Sequence, residues 1–513
     1  MAFSSILERE RIKYALIVLA LVLISVYLVL GTGRFSLFGG WAFYVNVLYL
    51  TLSSLLFIHF KKSFWLYFVF FAFLCLYAPI GLLYGRINEA FVFAIWGTYG
   101  SEADEFSKTL PPQYLVYSAL SAVLLLFFYF ITPKFQLKGK KIISFFAIFA
   151  IVTALGQPLK IGTTSTFVKA IKFFKQSLDD VRLYTKTKIE PKWQIKSVNP
   201  NYKNFVVVIG ESARRDYFEA YGYGVPNTPF LREINGTFVD GYTATGLNTI
   251  LALKHVLNEG GDFDLNIVDL ANLAGFETFW LSNQGKIGYY DTANTIVAKR
   301  AKMLYFLSDD ESVAGKFDEN LVKKVGEILS QKSEKNRVIF LHTIGSHPRA
   351  CSRLKSQDYK NYADERTFWI NCYAKSIAQS DGDLRALYEI LESNRAKTGE
   401  SFSVIYFSDH GLTHNYKKNP PELLVLENAS KEHFAIPLIK FSSDSVGRKF
   451  VKNESFANYF PQNFAHWLGV ETANFGEFSD IFSDGVQADT LGARNLAKNK
   501  NPDPAVDISK FYK

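Results

Sequence analysis

The chain runs to 513 residues, 49% of them hydrophobic and 20% charged, with a formal net charge of +9. That length exceeds one ordinary domain, so at least two units are expected, each able to bury a core. The positive balance sits partly in lysines beside apolar segments, which fits a basic face toward membrane lipids of negative charge and removes the grounds for reading nucleic-acid binding into it.

Apolar residues crowd the part before residue 160, and the remainder reads as a soluble α/β sequence with polar loops. Five segments, 14–30, 37–60, 64–84, 114–131 and 142–159, approach the roughly 20 apolar residues that a bilayer-spanning helix requires. The first reads as an anchor rather than a signal peptide, because Gly31-Thr32-Gly33-Arg34-Phe35 follows it instead of a small-residue cleavage site. Arg9, Arg11, Lys13, Lys61, Lys62, Lys134, Lys138, Lys140 and Lys141 lie on one set of loops and outnumber Arg34, Arg86 and Lys108 on the other. Lysine and arginine are retained on the cytoplasmic side, so the N-terminus is expected inside the cell and the chain after about residue 160 on the outer face, in the periplasm or its equivalent. The expected division is a membrane domain over 1–160, a connection over 161–200 and a globular domain over 201–513.

In the connection, Phe167, Ile171, Phe174, Leu178 and Val181 recur at steps of four and three, with Lys169, Lys172 and Lys175 between them. This spells an amphipathic basic helix, suited either to a lipid surface or to packing on the globular domain. Pro191 and Pro200 mark a linker. Beyond it, short apolar strands at 205–209, 277–281, 338–341, 403–407 and 435–439 alternate with helices, the clearest at 319–331 and 366–391. That alternation predicts a mainly parallel central sheet covered on both faces, with ligands at the carboxyl ends of the strands. Cys75 inside the third apolar segment reads as a small buried thiol. Cys351 and Cys372 fall in the exported half, where they either join as a disulfide or stay unpaired.

Three of the strands run into side chains that suit a divalent cation: Glu211 after the first, His342 and then His347 after the third, and Asp409 with His410 after the fourth. Carboxylate plus imidazole is a common zinc set. Each alone is ordinary loop chemistry; their coincidence on one sheet edge is what points to a metal. The segment from Asp240 to Gly246 is rich in small and hydroxyl residues and precedes a helical run over 247–257. A hydroxyl at a helix N-terminus suits both an alkoxide and a bound phosphoryl group, although spacing alone leaves it an N-cap threonine.

Gly210-Glu211-Ser212-Ala213-Arg214-Arg215-Asp216, with Gly222-Tyr223 and Asn227-Thr228-Pro229 after it, resembles the opening signature of the phosphoethanolamine transferases that modify lipopolysaccharide. Leu341-His342-Thr343-Ile344-Gly345-Ser346-His347 and Ser408-Asp409-His410-Gly411 resemble two more. These enzymes are sulfatase-like members of the alkaline phosphatase superfamily, with five transmembrane helices in the bacterial inner membrane and a periplasmic catalytic domain. The resemblance implies Glu211, Asp409 and His410 as zinc ligands, Thr245 as nucleophile and further ligand, and His347 on the phosphoryl group or a second zinc. It also implies Lys286 on the transferred phosphate and Glu102, in the loop between the third and fourth spans, on the ethanolamine ammonium. Where the family places a His-Gly pair after Ser-Asp-His-Gly, this chain has Asn419-Pro420-Pro421-Glu422, which leaves His414 or His433 to substitute. Ala94 stands where an asparagine is expected, and at most one disulfide replaces several.

The implied activity moves phosphoethanolamine from phosphatidylethanolamine, through a covalent threonine intermediate, to lipopolysaccharide or another envelope acceptor and releases diacylglycerol. Two rivals are a glycerol phosphate transferase using phosphatidylglycerol and a binding protein with a degraded site. The sequence argues against a formylglycine-dependent sulfatase, because no Cys or Ser followed by x-Pro-x-Arg stands where that residue would form.

Overall fold

A computed structural model describes residues 2–60, 63–87, 92, 106–134, 162–186, 188–284, 293–307, 317–355 and 366–510. The chain divides into two compact units that meet in sequence between Leu178 and Asp179.

The first unit is helical: α1 (Ala2–Leu30), α2 (Trp41–Phe57), α3 (Phe64–Tyr84), α4 (Pro112–Ile131) and α5, which runs over Gly162–Lys186 and so crosses into the second unit. Ile17, Leu21, Leu28, Leu50, Phe71, Leu74 and Leu125 form its core. Leu19, Leu23, Leu66, Leu76 and Val123 face outward, as in a bundle that lipid surrounds. Three helices have the length and apolar character to cross a bilayer: Arg9–Leu30 within α1, α3 and α4. α2 is shorter than the 37–60 segment suggested, because Gly39 and Gly40 close a turn before it and Ile58 to Phe60 turn away after it. The segment 142–159 lies outside the described residues; among those described, three of the five expected spans are helices of spanning length and α2 is a shorter apolar helix. Near its start α5 is tied to this bundle, with Asn46 Oδ1 accepting from the Gly162 amide at 2.6 Å and Phe167 set against Phe70 and Phe73.

In the second unit nine of the described strands build one sheet, and four more form two separate two-stranded sheets. The nine are β1 (Asn204–Gly210), β2 (Gly236–Thr243), β3 (Glu277–Ser282), β4 (Met303–Phe306), β5 (Arg337–His342), β6 (Phe402–Ser408), β7 (Leu438–Ser442), β8 (Arg448–Phe456) and β9 (Gly485–Val486). Their spatial order is β9-β8-β2-β7-β6-β1-β5-β3-β4. Every neighbouring pair is parallel except those made by β7, which runs against both β2 and β6, so the sheet is mixed. β1, β5 and β6 are buried along their whole length, as central strands covered on both faces must be. Val206, Val208, Leu341 and Val404 point into one core and Val207, Ile209, Phe340 and Ile405 into the other.

Helices α6 (Thr249–Val256), α7 (Glu319–Leu329) and α8 (Phe368–Thr398) matter most for the site. α7 and α8 turn Val322, Val325, Leu384 and Leu387 to the first of these cores, whereas Leu253 and Val256 of α6 belong to the second. Cys351 and Cys372 are joined as a disulfide that ties the segment after β5 to the second turn of α8.

Candidate active site

β1, β5 and β6 lie side by side and run the same way, so their carboxyl ends deliver Glu211, His342 and Asp409 with His410 to one edge. Glu211, Asp409 and His410 come together there, all buried, with their ligand atoms within 4.8 Å of one another. Asp409 Oδ1 is used locally, accepting from the Ser212 amide at 2.9 Å and the His410 amide at 2.7 Å. Among the described residues its Oδ2 is buried without a hydrogen-bond partner, and it stands 3.5 Å from His410 Nε2. His410 Nδ1 is 2.7 Å from the Gly411 carbonyl, an acceptor only, so Nδ1 carries a proton and Nε2 is the nitrogen turned to the carboxylates. An imidazole whose Nδ1–H is held by a backbone carbonyl, and whose Nε2 faces two carboxylates, is the donor set a zinc ion takes once Nε2 gives up any proton. These residues fit the metal that the sequence suggested.

The same crowding shifts the protonation equilibria. Burial, reinforced by Asp409, pushes the Glu211 carboxyl above the usual carboxylate range. Burial alone would lower His410; Asp409 and Glu211 outweigh it and raise the imidazole.

Two hydroxyls among the described residues reach Glu211: Ser212 Oγ donates to Oε1, and the second, at a helix start, belongs to Thr249. Its Oγ1 donates to Glu211 Oε2 at 2.9 Å and lies 3.5 Å from His410 Nε2. Thr245, the threonine the motif resemblance selects, instead points at the Ala252 carbonyl at 3.4 Å. The displacement follows from where the helix begins. Asn248 is the N-cap of α6, its side chain accepting from the Leu251 amide at 3.1 Å, so the first helical residue is Thr249 and not a residue near Leu247. Gly246 permits this entry, since a Cβ there would lie 2.1 Å from the Ala252 nitrogen.

The other expected residues divide. His347 is part-buried, with Nδ1 3.4 Å from Arg353 Nη2, and burial brings its pKa down to about 4. His433 lies beside the cluster, its ring stacked on that of His410 at 5.5 Å, but its nitrogens are occupied: Nε2 by the Leu247 carbonyl at 3.0 Å and Nδ1 by Thr413 at 3.3 Å. His414 is committed elsewhere, with Nδ1 2.7 Å from Asp503 Oδ1 and Nε2 2.6 Å from the Tyr217 hydroxyl, so of these two histidines it is His433 that stands beside His410. Lys286, Glu102 and Ala94 lie outside the described residues.

Two supporting residues escaped sequence reasoning. Gln284 Nε2 donates to Glu211 Oε2 at 2.9 Å and to the Thr343 carbonyl at 2.6 Å, joining the ends of β3, β5 and β1. Arg214, fully buried, pairs with Asp216 at 2.6 Å and Asp503 at 3.1 Å. The strand-end position of Gln284 was the available signal; nothing local links Arg214 to a residue 289 positions away.

A sequence profile of the Sulfatase family matches residues 203–470, the stretch that carries this edge. Similarity extends to phosphoethanolamine transferase OpgE of Escherichia coli, 38% identical over 285 residues, which are 54% of this chain and 53% of that protein. A putative phosphoethanolamine transferase of Haemophilus influenzae is 32% identical over 371 residues, 69% of this chain and 75% of its own length. The chain belongs to the sulfatase family, on the branch that holds the phosphoethanolamine transferases. Among solved structures, the integral membrane lipooligosaccharide phosphoethanolamine transferase A of Neisseria meningitidis shares the fold, with a TM-score of 0.63 at 18% identity over 89% of this chain and 95% of that one. The periplasmic domain of EptC from Escherichia coli, solved in complex with zinc, gives 0.50 at 21% identity over 58% and 90%.

Proposed function

We propose that the protein is a zinc-dependent phosphoethanolamine transferase of the bacterial inner membrane, with its N-terminus in the cytoplasm and its catalytic unit in the periplasm. Its donor is phosphatidylethanolamine and its acceptor an envelope lipid or glycan such as lipopolysaccharide. The observation that carries this reading is the Thr249 hydroxyl, placed at the first position of a helix and 2.9 Å from a buried Glu211 carboxylate within the Glu211–Asp409–His410 cluster. Kinship with named phosphoethanolamine transferases selects the transferred group.

Glu211, Asp409, His410 and Thr249 are the residues that would hold zinc; bound there, it lowers the pKa of a hydroxyl and offsets charge on phosphoryl oxygens. Thr249 Oγ1 attacks phosphorus. The Oγ–P bond forms, the bond from phosphorus to the glycerol oxygen breaks, and diacylglycerol leaves with a proton. Glu211 Oε2, which already accepts the hydroxyl hydrogen, faces the proton that Thr249 gives up. An acceptor hydroxyl then attacks the phosphothreonine and Thr249 recovers its hydrogen. The α6 amides favour the phosphoryl group, His347 in its neutral form donates to it, and His433 backs the His410 ring. Lys286 keeps the phosphate-binding role and Glu102 the ammonium-binding role that the family resemblance gives them.

The test is intact mass on the full chain in detergent with phosphatidylethanolamine, for the wild type and Thr249→Ala. A phosphoethanolamine adduct on the wild type, absent from the variant and from chelator-treated protein, is expected. Equal adduct on Thr249→Ala, or none on folded zinc-loaded wild type, overturns the reading.

A further inference from the structure

Asp318 immediately precedes α7 at its N-cap position, where an aspartate ordinarily accepts from the amides of the first turn. It makes no such bond. Its carboxylate is buried, only 5% exposed, and turns instead to the edge of the sheet. Oδ1 accepts from the Ile344 amide at 3.0 Å and from Asn283 Nδ2 at 2.8 Å, and Oδ2 accepts from the Gly345 amide at 3.0 Å.

These three donors sit at the ends of β3 and β5. Ile344 and Gly345 form the turn between His342 and His347, and that turn rests on Glu211. The Ser346 amide donates to the Glu211 carbonyl at 2.9 Å, and a Cβ on Gly345, whose φ is +41°, would come within 3.0 Å of the Glu211 nitrogen and oxygen. Asn283 adjoins Gln284, whose amide holds Glu211 Oε2. One buried carboxylate thus grips both segments that touch Glu211 from the side away from β6.

We propose that Asp318 is a positioning residue of the transferase centre, its carboxylate fixing the 343–347 turn and the Asn283-Gln284 end so that Glu211 and His347 hold their places. The inference rests on Glu211 belonging to the reacting centre. An ordinary N-cap role predicts only lost stability; a positioning role predicts lost metal affinity and turnover in protein that stays folded. Asp318→Asn discriminates between them, since it keeps the shape but offers a single acceptor oxygen to three donors and sets its NH₂ against an N–H.

The experiment uses the full chain in detergent: wild type, Asp318→Asn and, should that variant fail to fold, Asn283→Ala, which removes one of the three bonds. Zinc affinity is read by competition with a chromophoric chelator, turnover by diacylglycerol release from phosphatidylethanolamine, and folding by the melting of the zinc-free protein. Expected for Asp318→Asn are zinc affinity and kcat lowered by roughly 10 to 100-fold, as for other outer-shell partners of metal ligands, with KM for lipid within about twofold. Asn283→Ala should move the same readouts in the same direction by less. A folded variant that matches the wild type in both overturns the inference alone. A wild type that neither takes up zinc nor releases diacylglycerol overturns the functional reading, and the inference with it.

Discussion

Thr245 and Thr249 have the same hydroxyl and similar sequence surroundings, yet the helix start separates them: one faces a backbone carbonyl and the other Glu211. Thr249→Ala is expected to lower diacylglycerol release by at least about 10³-fold, because a lost nucleophile leaves only binding and positioning. Thr249→Ser should keep a measurable part of it. Thr245→Ala gives up one long hydrogen bond, worth about 1 kcal/mol at most, and should leave turnover within a few-fold of wild type. A companion test is Gly246→Ala. Its added methyl meets the Ala252 nitrogen, so the first turn of α6 must shift, with about 1 to 3 kcal/mol of overpacking in denaturant melts and a marked loss of turnover. The carboxylates and His410 were legible in the sequence because they directly follow apolar strands. For the nucleophile the two differ: the Thr-x-Thr unit points to Thr245, whereas the Asn248 N-cap brings Thr249 to Glu211.

Elements were legible to the extent that their composition dictates them. Each of the five strands read from the sequence exists, and four keep their place to within a residue or so. The fifth begins three residues later than 435–439 suggests, because Pro437 has no amide to give a ladder and β7 can start only after it. Its reversed direction was not legible, since direction follows from the connection and not from the residues in the strand. Least legible was the tail after residue 500, which carries no regular pattern but places Asp503 on Arg214, His414 and Ser430. Arg214 has no exposure at all, so Asp503→Ala leaves a buried guanidinium short of one of its two carboxylates. A loss of about 3 kcal/mol or more in chemical denaturation is expected, and less for Asp503→Asn, whose amide oxygen still accepts. The Cys351–Cys372 link closes a separation of 21 residues; replacing both with serine should cost about 3 kcal/mol on chain-entropy grounds, read as the same drop in reduced wild type.

At the scale of the molecule the two units solve opposite solvent problems. The first keeps leucine, valine and phenylalanine on its outside and puts Asn46, Ser53, Ser54 and Tyr67 in its interior, where Tyr67 binds both serines. The second has a core on each face of its sheet, with Lys323, Glu327, Glu392 and Arg395 outside on α7 and α8. Every strand of that sheet and every protein ligand proposed for zinc lies after residue 188. Residues 188–513, expressed alone, should therefore stay in the supernatant, unfold in one cooperative transition and bind zinc as the full chain does. The full chain should pellet with membranes and resist carbonate extraction, as helices of spanning length demand. Turnover is where the two diverge. A lipid donor is confined to the bilayer, so tethering raises its effective concentration at the site, and the fragment should show a KM for phosphatidylethanolamine raised at least about tenfold with kcat little changed. A fragment that matches the full chain in KM would show that the helical unit does not serve to deliver the donor; one that cannot bind zinc would show that the catalytic unit is not complete within 188–513.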